Sequence, residues 1–121
     1  MTEKQDLKIR TKQFALRIIR LYTSLPKITE AQVIGRQVLD SGTSVGAQYR
    51  EAQRAKSDAD FISKVEGSLQ ELDETAYWLE LLRDSEMASP EKINLLLKET
   101  DELTAIFVTI VKKVKGRRSR R

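Results

Sequence analysis

A chain of 121 residues has room for one domain around a single core, and its composition sets firm exclusions. It contains no cysteine and no histidine, which excludes a disulfide framework, a thiolate or imidazole metal site and a histidine general base. The formal charge of +4 depends on the last ten residues: Lys112 to Arg121 hold seven Lys or Arg and no acid, while the rest of the chain holds 15 basic and 18 acidic side chains. A mildly acidic body with a polycationic end predicts an anionic partner, nucleic acid above all, against the plainer reading of a solubilising tail. The first ten residues are polar and mixed in charge, unlike a signal peptide, and no apolar run approaches the ~20 residues that span a bilayer. The expectation is a cytoplasmic protein with no membrane partner.

Few glycines and prolines, many aliphatic residues and one-third charged residues give the profile of a helical bundle. In chain order, the first helix is predicted over about 6–25. Leu7, Phe14, Ile18, Tyr22 and Leu25 recur at helical spacing, and Pro26 stops it. Thr29 with Gln32 has capping-box spacing and opens a second helix over about 30–56, with Ile34, Val38, Ser41, Val45, Gln48 and Ala52 as its seam. Ser57 with Asp60 repeats that spacing and opens a third over about 58–84, seamed by Phe61, Val65, Leu69, Leu72, Ala76 and Leu79. Ser89 caps a fourth helix over about 90–114, with Pro90 at its first position. Its stripe is Ile93, Leu96, Thr100, Leu103, Phe107, Ile110 and Val114, and Gly116 is expected to end it, leaving 115–121 as a flexible basic tail. Four amphipathic helices joined by short loops predict an all-α fold, an antiparallel up-down-up-down four-helix bundle over 1–114.

Charge follows the same plan. Residues 1–56 hold 11 basic and 5 acidic side chains, and residues 57–111 hold 4 basic and 13 acidic. Such segregation serves pairing within one bundle or between copies equally well.

Two surfaces exceed the needs of a single bundle. Gly35, Gly42 and Gly46 share a stripe of the second helix, and each lowers helix stability by about 1 kcal/mol relative to alanine. Close approach of another backbone offsets that, either a sister helix or a second subunit. Near the end of the third helix, Tyr77, Trp78 and Leu81 widen the apolar face beyond the ~100° a bundle helix buries. Gly42, Gly46, Tyr77, Trp78 and Leu81 are therefore candidate oligomer-interface residues.

Catalysis finds little support. Glu71 and Glu74 share a face as in carboxylate-bridged metal sites, but those need Glu-x-x-His on two helices, and the chain has no histidine. No glycine-rich phosphate loop is present, and Ser44 and Lys64 lack activating partners in the local sequence. The reading is a protein with no catalytic residue, no metal and no cofactor.

The segment Ser41-Gly-Thr-Ser-Val-Gly-Ala-Gln-Tyr-Arg-Glu-Ala52, with Asp60-Phe-Ile-Ser-Lys64 and Asp73-Glu-Thr-Ala-Tyr-Trp-Leu-Glu-Leu-Leu82, closely resembles the 23S ribosomal RNA intervening-sequence protein family. The resemblance runs from about Phe14 to Val114, with Gln48 where the family usually has Asn. It implies a four-helix bundle assembled into a ring, a homopentamer, and a ribosome-associated protein, members being encoded within sequences that interrupt large-subunit ribosomal RNA genes or elsewhere in genomes. A related branch, the accessory variability determinants of diversity-generating retroelements, resembles a basic pentamer that binds a reverse transcriptase and nucleic acid. The family supplies no catalytic residues, and Arg50, Glu51, Lys64, Glu71, Glu74 and Trp78 read as structural or interfacial.

The function expected from these readings is non-enzymatic RNA binding by a homo-oligomer, mainly through phosphate contacts that carry little sequence information. Lys4, Lys8, Arg10, Lys12, Arg17 and Arg20 on the first helix would supply them, with Lys112, Lys113, Lys115, Arg117, Arg118, Arg120 and Arg121 in the tail. The rival is a scaffold ring that holds a protein partner such as a reverse transcriptase.

Overall fold

The helix signals resolve into four α-helices in the computed structural model, which describes residues 3–119, with side chains from Leu7 onward. They are α1 (Glu3–Ser24), α2 (Thr29–Ala52), α3 (Asp58–Asp84) and α4 (Pro90–Ser119), and no strand occurs among the described residues. Each helix packs on the next in sequence, α2 on α3 most extensively.

The helix punctuation is only partly as expected. Ser57 caps α3 by accepting the Asp60 N–H at 3.0 Å, and Pro90 is the first residue of α4. Thr29 is not a cap: Ile28 holds the N-cap position of α2 without a side-chain hydrogen bond. Gln32 ties the α1–α2 loop instead, donating to the Pro26 carbonyl at 2.9 Å and accepting from the Tyr22 hydroxyl at 3.1 Å. The second helix ends at Ala52 rather than near Lys56. At the end of α3, Glu86 adopts φ 63°, while Met87 N–H reaches the Leu82 carbonyl and Glu86 N–H that of Arg83. That is the Schellman arrangement with glutamate at its left-handed position.

The α1–α2 contact is made by the glycines. A Cβ on Gly42 would lie 2.7 Å from Ile18 Cγ1, one on Gly46 2.9 Å from Thr11 Oγ1, and one on Gly35 2.6 Å from Leu25 Cδ1. Gly42 and Gly46 are buried inside the chain against α1 and do not form a surface between copies, which corrects the interface expectation for both. Residues 35, 42 and 46 meet 25, 18 and 11, so α1 and α2 run in opposite directions.

The α2–α3 contact rests on hydroxyls. Ser68 Oγ donates to the Val45 carbonyl at 2.9 Å, and Thr75 Oγ1 lies 2.7 Å from Ser41 Oγ and 2.8 Å from the Glu71 carbonyl. All four of Ser41, Ser68, Thr75 and Thr11 are buried. Small polar residues let the backbones approach, and each hydroxyl has an acceptor, so burial leaves no polar group unsatisfied there. Gly67 makes room for the Gln48 amide, which lies where a Cβ would stand. Beside it Glu71 is half-buried, and its pKa is raised, first by burial and then by Glu74, against hydrogen bonds from Ser44 and Gln48.

Between these contacts lies one core of Phe14, Ile18, Val38, Val45, Tyr49, Val65, Leu72, Leu79, Ile93, Leu103 and Phe107, all buried. Tyr49 and Phe107 meet with ring centroids 5.4 Å apart. Across α1 and α4, Arg10 forks between two acids: Nε and Nη2 donate to Glu99 at 2.8 and 2.7 Å, and Nη2 to Glu102 at 2.8 Å.

Gly42→Leu is expected to lower stability by about 1–3 kcal/mol in urea denaturation, because overpacking against Ile18 outweighs leucine's better helix propensity. A more stable variant would show that this face is not close-packed. For Glu71, a raised folded-state pKa means a stabilising contribution that is present at low pH and lost as pH rises through that pKa. Glu71→Gln should therefore raise Tm at pH 7, with the gap closing below about pH 4, where the carboxyl is protonated folded or unfolded. A gap that widened on acidification would reverse the sign and refute the account.

Candidate nucleic-acid interface

Because consecutive helices alternate in direction, the start of α1, the end of α2, the start of α3 and the end of α4 meet at one end of the molecule. Leu7, Ala52, Gln53, Phe61, Ile110 and Val114 line one cleft there. Lys56 and Lys113 line it, and further cations lie on the same helices and the corner beside them: Lys8 and Lys12 on α1, Arg50 and Arg54 near the end of α2, and Lys112 and Arg118 on α4. All eight are exposed, and none has an ion-pair partner among the described residues.

The basic segment after Val114 is helical, not a flexible tail from residue 115. Helix α4 continues through Gly116 to Ser119, and a Cβ on Gly116 would meet nothing within 4 Å. Two ion pairs hold this extension on α3, Lys115 Nζ to Glu66 at 3.3 Å and Arg117 Nη2 to Asp58 at 3.4 Å. Cations in a last turn also suit the negative end of the helix dipole. Lys115 and Arg117 are therefore partly engaged by their own chain. The Lys4 side chain, Arg120 and Arg121 lie outside the described residues.

The predicted cations of the first helix do not form one surface. Arg10 is taken up by Glu99 and Glu102, which hold its guanidinium further above its ordinary pKa, the Glu99 hydrogen bond contributing most. It serves the α1–α4 contact and is not available to phosphate, which corrects its assignment. Arg17 and Arg20 lie at the far end, in a shallow cleft of about 310 Å³ with Lys92, Leu95 and Leu96. Among the first-helix cations whose side chains are described, Lys8 and Lys12 remain on the half of α1 nearer that end.

By spacing alone Arg54 and Lys56 fall in the last turn of a second helix over about 30–56. The helix stops at Ala52, so both lie in the α2–α3 corner, where Lys56 shares the cleft with α4. The charge excess of residues 1–56, to which both contribute, was the available signal.

The other candidate surface is mixed. Tyr77 is 55% exposed and stands edge-on to Trp78 at 5.0 Å, whereas Trp78 and Leu81 are half-buried. Trp78 packs against the core, and its buried Nε1 has no hydrogen-bond partner among the described residues. Ile9, Leu16 and Ile19 on α1, Ile28 and Val33 near the start of α2, and Leu95 on α4 are also exposed. Ile9 and Leu16 point away from the Leu7, Phe14 and Ile18 stripe that α1 buries. Among the described residues no helix is long and apolar enough to cross a membrane.

Residues 3–109 match the family model for the 23S rRNA-intervening sequence protein. No curated protein matches the chain. A solved structure that does is a protein of unknown function from the S23 ribosomal protein family of Bacteroides thetaiotaomicron. It is 40% identical, with 88% of this chain and 98% of that chain covered and a TM-score of 0.83. With a match over most of its length and a common four-helix architecture, the chain belongs to the 23S rRNA-intervening sequence protein family.

Proposed function

We propose that this protein is a non-enzymatic RNA-binding protein, an up-down-up-down bundle that assembles into a homopentameric ring. Structured RNA is held mainly through its phosphates. The observation that carries this reading is the gathering of unpaired cations from α1, the α2–α3 corner and α4 at one end of the molecule. Acids concentrate along α3 and α4, so a phosphate backbone is attracted to that end and repelled from the flanks. Exposed aromatic residues are scarce around the cations, which suits positioning on a backbone rather than reading of sequence. What supports assembly is that large apolar side chains stand exposed on three helices, Ile9 and Leu16 on α1, Val33 on α2 and Tyr77 on α3.

The salt dependence of RNA affinity tests the first part. Replacing Arg54, Lys56 and Lys113 together by Gln is expected to reduce the slope of log affinity against log salt by about 2–3, at ~0.9 per phosphate contact on a duplex. Replacing Arg17 and Arg20 at the far end should leave the slope nearly unchanged. If neither variant alters RNA affinity, RNA binding through this end is wrong and the rival gains: a ring that holds a protein partner such as a reverse transcriptase.

Light scattering tests the second part. Wild type is expected at about five times the monomer mass of 13.9 kDa. Tyr77→Glu should shift it towards the monomer without unfolding it, since Tyr77 lies outside the core. A monomeric wild type at micromolar concentration would end the ring proposal.

A further inference from the structure

The basic end is not only a charged surface: it contains a cleft of about 780 Å³. That volume lies within the ~300–1,000 Å³ of small-molecule sites, far larger than a packing defect. Its wall is apolar and incompletely covered. Phe61, Ile106 and Ile110 are half-buried, packed against the core on one side and open to the cleft on the other. Its rim is cationic, with Lys56 from the α2–α3 corner and Lys113 and Arg117 from α4. Asp58 is the one acid on the lining, and its contact with Arg117 is 3.4 Å, longer than the 2.7–2.9 Å typical of a strong charge-assisted bond. Arg117 gives Asp58 only an Nη2 donor, so its guanidinium has further N–H groups for an anion without leaving the acid.

A ligand that fits both features has a flat apolar body and an anionic group beside it. We infer that the cleft takes one unpaired nucleotide of the bound RNA. The base stacks on Phe61 and lies over Ile106 and Ile110, and the adjoining phosphate is held by Lys56, Lys113 and Arg117. This inference rests on the RNA-binding reading and adds to it a preference for RNA with an unpaired base, because a paired base must first give up its pairing and stacking, at a cost in free energy. Stacking on one aromatic face tolerates any base, so the preference is for structure and not for sequence.

The test uses the full chain and two RNA hairpins of equal length, each closed by a non-nucleotide linker so that no loop base is unpaired: one carries a single-nucleotide bulge of 2-aminopurine and the other is fully paired. The bulged hairpin is expected to bind about ten-fold more tightly, with a change in 2-aminopurine fluorescence on binding. Phe61→Leu keeps apolar volume but removes the π face, and it should abolish both the difference and the fluorescence change while paired-hairpin affinity stays the same. Lys113→Ala, on an exposed residue that cannot unfold the core, should weaken the bulged hairpin more than the paired one. Adenosine 5′-monophosphate should compete with the bulge, and octanoate, an anion with a flexible apolar chain, should not. Equal affinity for the two hairpins in wild type overturns the inference and leaves the phosphate reading standing. Absence of binding to either hairpin overturns both. Displacement by octanoate but not by the nucleotide overturns the assignment in favour of an acyl anion.

Discussion

The close approach of α2 to both of its neighbours is the constraint on which the rest of the molecule depends. On one side three glycines admit Leu25, Ile18 and Thr11 of α1 to positions that a Cβ would fill. On the other, Ser41 and the Val45 carbonyl bond directly to the hydroxyls of Thr75 and Ser68. A helix with three interior glycines is weak by itself, by about 1 kcal/mol per glycine relative to alanine. It is stable here because what those positions lose in propensity is returned by contacts that larger residues would forbid. With α2 drawn in on both sides, Val38, Val45 and Tyr49 reach the shared core, and Tyr49 meets Phe107 of α4 across the centre.

Electrostatics close the remaining sides. Helices α1 and α4 are distant in sequence, and the forked Arg10 joins them through Glu99 and Glu102 in a bidentate geometry stronger than ordinary surface pairs. The same logic extends α4 beyond the core. Its last turns have few apolar contacts past Val114, yet Glu66 and Asp58 of α3 hold Lys115 and Arg117 and so keep the backbone helical through Gly116. Each of these exposed pairs is weak singly, about 0–1 kcal/mol, and acts together with the dipole preference for cations at a helix end. The acidic flank thus orders the basic segment as well as balancing it.

What could be read from the sequence was what local rules determine. Pro26, Ser57 and Pro90 fix three helix boundaries, and the stripe of α4 from Ile93 to Phe107 is buried as its spacing predicts. Errors arose where a residue's role depends on which neighbour it meets. Gln48 falls on the seam of α2 by spacing, but the buried position is Tyr49, one place on, because the glycine face turns the helix towards α1. Thr29 and Gln32 have the spacing of a capping box, yet Gln32 finds better partners in Pro26 and Tyr22. Arg10 is one basic residue among several in the sequence, and only the fold brings Glu99 and Glu102 to it, 89 and 92 residues away. Gly116 looks like a terminator by composition, while the pairs that carry the helix past it are with residues of α3. The family match spans residues 3–109 and stops short of this basic extension, so the family does not account for the segment with the densest charge.

A basic end on each copy has a consequence for the proposed ring that one copy alone does not have. A single subunit offers a handful of phosphate contacts, and such contacts weaken steeply as salt rises. In a closed ring each copy is related to the next by rotation about one axis, so the basic ends would be presented in equivalent positions around that axis. Once one copy holds an RNA, the next phosphate contact is made within the same complex, at an effective concentration set by the spacing of the ends. Rigidity matters to that gain. An α4 extension held helical by Glu66 and Asp58 presents its cations at fixed positions, whereas a disordered tail would have to be ordered on every binding event. The intramolecular pairs of Lys115 and Arg117 therefore do more than neutralise charge: they hold Lys112, Lys113 and Arg118 on a helix of fixed course.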